Sequence, residues 1–139
     1  MSSPIKQRIT PSLMFTGKHA GKAEEAIHFY TSLFKGSRIL TVERYGPGER
    51  DILGTIKFSS FSLDDQIFNA MDSSLPHAFT FTPAISLFVS CDSEEEVDRL
   101  HGKLSEGGVL IPLGKYPYAD KYCWVNDRYG VSWQLFFKK

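Results

Sequence analysis

Asn126-Asp127-Arg128-Tyr129-Gly130-Val131-Ser132-Trp133-Gln134-Leu135-Phe136-Phe137 is the stretch that decides the fold, because a turn, a strand and an unexpected amide follow one another in it. Asp127 to Gly130 is turn chemistry: a carboxylate that can bond backbone N–H groups just ahead of it, then a glycine free to take positive φ. From Val131 the residues alternate. Val131, Trp133, Leu135 and Phe137 form an apolar face that predicts core, while Ser132, Gln134 and Phe136 share the other face. Ser and Gln set between aromatics predict a surface that lines a cavity. Gln134 is then the residue to explain.

The same alternation occurs near the start of the chain. Ile9, Pro11, Leu13 and Phe15 fall on one side and Thr10, Ser12 and Met14 on the other, with Pro11 marking a strand start or an edge. A Gly-containing loop over 16–22 leads into a predicted helix from Ala23 to Phe34, whose apolar stripe is Ala26, Phe29, Tyr30, Leu33 and Phe34. Gly36 ends it. Strands are predicted near 37–45, 54–63 and 66–71, separated by Gly46-Pro47-Gly48 and by Asp64-Asp65. This first module, about 9–72, reads βαβββ.

A connector over 73–83, rich in Ser, Pro and Thr, separates it from a second module at about 84–137. There Ile85, Leu87, Val89 and Cys91 alternate with Ser86, Phe88 and Ser90. Ser93 and Glu96 have capping-box spacing ahead of a helix with Val97, Leu100 and Leu104 as its stripe, and Gly107 closes it. Short strands near 109–112 and 122–125 precede the C-terminal one. Glu24-Glu25-Ala26 against Glu95-Glu96-Val97, Phe29 against Leu100, Leu33 against Leu104 and Gly36 against Gly107 all share one offset of 71 residues. The chain reads as an internal duplication at module length, and residues 1–139 as a single α+β domain.

Composition narrows the function classes. Sixteen basic and sixteen acidic residues cancel, and no basic stripe interleaved with aromatics exists, so nucleic acid is not an expected partner. Cys91 and Cys123 lie far apart with neither CxxC spacing nor a His pair nearby, which argues against a zinc site and a disulfide framework and for a reducing, cytoplasmic setting. No run of about 18 apolar residues predicts a membrane span, and Met1 to Arg8 is too polar for a signal core. Gly46-Pro47-Gly48 joins two strands and reads as a hairpin turn, and no GxGxxG opens a βαβαβ rhythm of the kind usual in S-adenosylmethionine enzymes.

Two βαβββ modules in this length resemble the vicinal oxygen chelate superfamily, which includes glyoxalase and bleomycin-resistance proteins. More narrowly, Leu13-Met14-Phe15, Ala23-Glu24-Glu25-Ala26 with Phe29-Tyr30, Arg44-Tyr45-Gly46-Pro47-Gly48-Glu49, Cys91-Asp92 with Glu95-Glu96-Val97-Asp98, and Asp127 through Gln134 are similar to the PhnB-like group. That group carries the label "3-demethylubiquinone-9 3-methyltransferase domain". Lys18-His19-Ala20-Gly21 departs from it as an insertion before the first helix. The resemblance implies a curved mixed sheet around a cavity, with helices on the outer face. It also implies metal-ligand slots on the first and last strands of each module: Thr10 or Ser12, Asn69 or Met71, Ser86, and Gln134. Only Gln134 among these is a usable ligand type, and hydroxyls with one amide do not hold a transition metal against water. No metal or other cofactor is therefore expected.

The expectation is a small-molecule ligand in a cavity lined by Thr10, Ser12, Met14, Asn69, Met71, Ser86, Phe88, Ser90, Ser132, Gln134 and Phe136. Arg44, Tyr45, Tyr116 and Tyr118 are expected at its rim. The Tyr-rich stretch from Lys115 to Tyr122 reads as a loop that caps the mouth or edges a dimer. Two Trp, six Tyr and eleven Phe are more aromatics than one small core readily buries, which together with the resemblance predicts a homodimer. Alternatives to metal-free binding are a lyase or dioxygenase relative using an unrecognised metal, or the methyltransferase of the family label. No catalytic residue stands out.

Overall fold

Strand order repeats between the halves of the chain as the sequence duplication predicts. The computed structural model describes residues 7–139; most of the polar start, Met1 to Lys6, lies outside the described residues. The chain divides into two compact units between Ala78 and Phe79, within the predicted connector. In the first, β1 (Ser12–Phe15), α1 (Ala23–Leu33), β2 (Arg38–Arg44), β3 (Ile56–Leu63) and β4 (Gln66–Asp72) form a sheet ordered β1-β4-β3-β2. In the second, β5 (Ser86–Ser90), α2 (Glu94–Leu104), β6 (Gly108–Tyr116), β7 (Ala119–Asn126) and β8 (Ser132–Phe137) form a sheet ordered β5-β8-β7-β6. The first and last strands of each unit run parallel, and the other pairs are antiparallel. Each unit is thus βαβββ, and the fold class is α+β.

Each helix covers one face of its sheet because its apolar residues recur at helical spacing. Ala23, Ala26, Ile27, Tyr30 and Leu33 of α1 are buried, and Tyr30 stacks on Phe61, which stacks on Phe68. Burying a side chain of this size contributes about 1.5 to 3 kcal/mol. Ile27 takes the place in the stripe that the sequence reading gave to Phe29 and Phe34, which stay half exposed. The stripe is centred one position away from the predicted line. In the second unit Val97, Leu100 and Leu104 of α2 are buried, and α2 packs on β7 and β8, where Cys123, Val125, Trp133 and Leu135 are buried. The apolar face read from the C-terminal strand is the one under α2.

Strand ends differ from the sequence reading for backbone reasons. β1 begins at Ser12, where Asn69 N–H donates to the carbonyl of Pro11; a proline has no N–H to extend the ladder. Ile9 lies ahead of the strand and is 89% exposed, so it is not core. Ile85 is likewise outside β5 and 79% exposed. The Lys115–Tyr122 stretch is mostly a β-hairpin, with Pro117 and Tyr118 at the turn between β6 and β7. Pro112 falls inside β6, an edge strand with three irregularities in its register, where a proline is tolerated.

Candidate functional site

Cross-strand register sorts the face of the second sheet opposite α2 into three rows. Ser86, Ser132 and Asn126 form one, Phe88, Gln134 and Trp124 the next, and Ser90, Phe136 and Tyr122 the third. The structure therefore brings together the predicted residues Ser86, Phe88, Ser90, Ser132, Gln134 and Phe136. It adds Tyr122, Trp124 and Asn126, which the sequence reading missed although they alternate in phase along β7. Their signal was present, but a strand end placed near Val125 and a loop reading up to Tyr122 hid it.

Hydrogen bonds run across these rows. The Tyr122 hydroxyl donates to Gln134 Oε1 at 2.5 Å, and Gln134 Nε2 donates to Ser86 Oγ at 2.8 Å. Beside them Trp124 Nε1 donates to Ser132 Oγ at 2.7 Å. Burial, first, and then the neighbouring Tyr118, Cys123 and Tyr116 push the Tyr122 phenol above its ordinary pKa, so it stays protonated and a donor at neutral pH. Aromatic rings frame this polar chain. Phe88, 54% exposed, lies 5.5 Å from Phe136. Tyr116 and Tyr118 stack at 5.6 Å, and both meet Tyr122 edge-on at 5.9 and 5.4 Å. The hairpin turn thereby sits against the residue that holds Gln134. Tyr116 is half exposed, its hydroxyl donating to the Pro112 carbonyl, and Tyr118 is exposed.

In the first unit Ser12, Met14, Asn69 and Met71 share the sheet face opposite α1. Ser60 lies on the same face and bonds Thr41 at 2.7 Å. Thr10 is ahead of β1, not in it. Of the predicted rim, Arg44 is exposed and paired with Glu24. Tyr45 is only 3% exposed, which removes it from a rim. It is held between Thr55 and Gly54 by backbone bonds, and the guanidinium of Arg50 lies over its ring. The Gly46-Pro47-Gly48-Glu49 turn is closed by Glu49, whose carboxylate accepts from Gly46 N–H and Lys57.

Neither thiol is a nucleophile. Burial pushes Cys91 up to about 12 and Cys123 up to about 11, so both are protonated at neutral pH. Among the described residues no group of three or more His, Cys, Asp and Glu side chains is placed to hold a metal ion. His28 and His101 lie on the helices, His19 in the loop before α1, and His77 beside Ser73 at 2.8 Å. Nor, among the described residues, is any helix long and apolar enough to cross a membrane.

Comparison with known proteins places this arrangement. The family model described as "3-demethylubiquinone-9 3-methyltransferase" matches residues 7–136, from the segment ahead of β1 through most of β8. The chain belongs to this family. Within it, a PhnB protein from Bacillus cereus that carries the same methyltransferase description is 48% identical, over 95% of this chain and 100% of its own, with a TM-score of 0.88. Protein PA1353 from Pseudomonas aeruginosa is 26% identical, over 96% and 98%, with a TM-score of 0.80. A glyoxylase/bleomycin resistance protein/dioxygenase domain from Frankia sp. is 15% identical, over 98% and 100%, with a TM-score of 0.58, a likeness of fold. No curated protein matches the chain. The PhnB-like family and the glyoxalase-like fold expected from the motifs are both found.

Proposed function

We propose that the chain binds a small molecule on the aromatic face of its second unit without using a metal. One observation carries the reading. Ser86 and Gln134, the two slots in this unit that the superfamily resemblance gives to metal ligands, are bonded to each other, and the remaining side of the Gln134 amide is taken by Tyr122. An amide spent on two hydroxyls serves a polar recognition site better than a cation, which selects imidazole, thiolate or carboxylate. Rings with a few convergent polar groups are the usual lining of a small-ligand site. The two reduced, buried thiols suit a cytoplasmic setting. Exposed Leu40, Val42 and Phe58 in the first unit, and Val109 and Leu110 in the second, suit a homodimer.

Protein purified without chelator should carry well under one divalent ion per chain, and manganese, nickel or zinc should leave its melting temperature unchanged. Ser86→His with Gln134→Glu supplies an imidazole and a carboxylate, and a metal-dependent rise in melting temperature should appear in that variant alone. Stoichiometric metal in the wild type, by elemental analysis, would sink the reading. Sedimentation at micromolar concentration that shows only the 15.7 kDa chain would remove the dimer.

A second reading comes from the family description: methyl transfer from S-adenosylmethionine to a demethylated quinol. Incubation with both compounds decides it, since a methylated product would replace simple binding as the function.

A further inference from the structure

We infer that the face in the second unit takes a neutral, flat ring compound that presents a carbonyl-type acceptor oxygen. The inference rests on the binding reading above and deepens it by naming the ligand class. It follows from a count of protons along Tyr122, Gln134 and Ser86. The phenol proton is spent on Gln134 Oε1 and one amide proton on Ser86 Oγ. The second amide N–H of Gln134 and the Ser86 O–H find no acceptor among the described residues.

Reversing the chain does not remove the surplus. If Ser86 donates to the amide oxygen and the amide donates to Tyr122, the second amide proton and the phenol proton are left over instead. Two donors remain either way. Ser86 and Gln134 are half-buried, so both donors are open to solvent, and a ligand that covers them must supply an acceptor in place of water. The side-chain oxygen of Asn126, in the adjoining row, also lacks a partner, but it is sealed from solvent and offers nothing to a ligand.

Charge and shape fix the rest. None of the nine residues in the three rows is Asp, Glu, Lys or Arg, so an ionic ligand would give up its hydration without a counter-charge. Phe88, Phe136 and Trp124 flank the amide with ring surface, which favours a flat partner.

A matched series tests this: 1-indanone, 1-indanol, indane and indane-1-carboxylate, titrated against the full chain and followed by the two indole N–H resonances in ¹⁵N spectra. Trp124 lies in the site, while the Trp133 indole donates to Asp127 Oδ2 on the opposite face and serves as the internal reference. The ketone should bind about fivefold to tenfold tighter than the hydrocarbon, as one or two added hydrogen bonds allow. The alcohol should fall between them and the carboxylate should bind weakest, with Trp124 moving and Trp133 still. Gln134→Glu is the decisive variant, because a carboxylate accepts from both hydroxyls and leaves no surplus donor. There the ketone and the hydrocarbon should bind within about twofold of each other. Equal binding of ketone and hydrocarbon by the wild type, or a preference that survives Gln134→Glu, overturns the acceptor inference and leaves the binding reading standing. No shift of Trp124 with any of the four compounds counts against both.

Discussion

The two units share one strand order but enter their helices by different means. In the second, α2 starts on a local cap: Ser93 Oγ accepts from Glu96 N–H at 3.1 Å, and Glu96 Oε1 accepts from Asp92 N–H at 2.8 Å. In the first, Lys22 stands at the cap position of α1, and its side chain caps no backbone N–H. The work falls to Asp72 at the end of β4, whose buried carboxylate accepts from Gly21 and Ala23 N–H at 2.8 and 3.0 Å and from Ile56 N–H at 3.0 Å. The loop that carries Lys18-His19-Ala20-Gly21 is anchored by the same residue. The second unit's own buried acid, Asp127, instead shapes the turn before β8, accepting from Tyr129 and Val131 N–H and from the Trp133 indole. The acceptor at the start of α1 is a neighbour in space, and the one at the start of α2 is a neighbour in sequence.

The largest effect expected from breaking this comparison is at Trp133, which is 1% exposed and tied to Asp127. Trp133→Ala should cost about 3 to 5 kcal/mol in urea unfolding. Gln134→Ala, one residue on but across the sheet, should cost far less. A reversed order of these two would place β8 in the wrong phase and dissolve the three rows of the candidate site.

Next comes the pair of glycines at corresponding positions, Gly36 and Gly107. Gly36 has φ +76° with open space around it, so alanine meets only the left-handed backbone penalty, about 1 to 2 kcal/mol. At Gly107 no left-handed φ is involved, and it does not cap α2, which ends at Leu104. A Cβ there would lie 2.0 Å from the Asp127 carbonyl oxygen. Gly107→Ala should therefore cost about 3 kcal/mol, because backbone must move, and should disturb the Trp133 indole resonance as Asp127 shifts. Equal costs at the two sites would mean that the backbone around Asp127 yields to the added Cβ with little strain.

How legible each unit was follows from where its partners lie. The capping box of α2 was readable because its donors and acceptors are within four residues, and the face of β8 because strand alternation is local. Asp72 was placed at the edge of a connector, since its donors at Gly21 and Ala23 are 51 and 49 residues away and no periodicity points to them. The same distance effect hid the site's bonding. Gln134 was singled out on its strand, but Ser86 is 48 residues away, and Tyr122 sat at the end of a Tyr-rich stretch, 115–122, that read as a loop. Tyr45 was assigned to a rim by motif position and is instead buried.

A smaller effect is expected at Asp72. Asp72→Ala leaves three backbone donors to find other partners, and the cost should be about 2 kcal/mol. Burial, outweighing the bonds from Ile56, Ala23 and Gly21, raises its pKa above the ordinary 3.8. An acid whose pKa is raised in the folded state holds more protons folded than unfolded, so its contribution is fully present below 3.8 and is lost as pH rises through the folded value. The gap between wild type and Asp72→Ala should accordingly be widest in acid and narrow toward neutral pH. A gap that widens toward neutral pH would show that the three N–H bonds outweigh desolvation.

The smallest effect is at the local cap, and it bears most directly on what separates the units. Ser93→Ala removes one acceptor from the first turn of α2 and should cost about 1 kcal/mol, the usual worth of such a residue. Glu96→Gln keeps an oxygen for Asp92 N–H and should cost less. The complementary change, Lys22→Ser, offers α1 a local acceptor of the type it lacks. A serine there aims at Glu24 or Glu25 N–H, not at the Ala23 N–H that Asp72 holds, and the backbone at 22 is not extended as it is at Ser93, so the new hydroxyl should add less than about 0.5 kcal/mol to the wild type. In an Asp72→Ala background the same serine should add no more than that, because it does not reach the freed Gly21, Ala23 and Ile56 donors. A serine that helped the Asp72→Ala background alone would mean that the first turn of α1 rearranges when Asp72 is lost and that the two acceptors then compete for one donor.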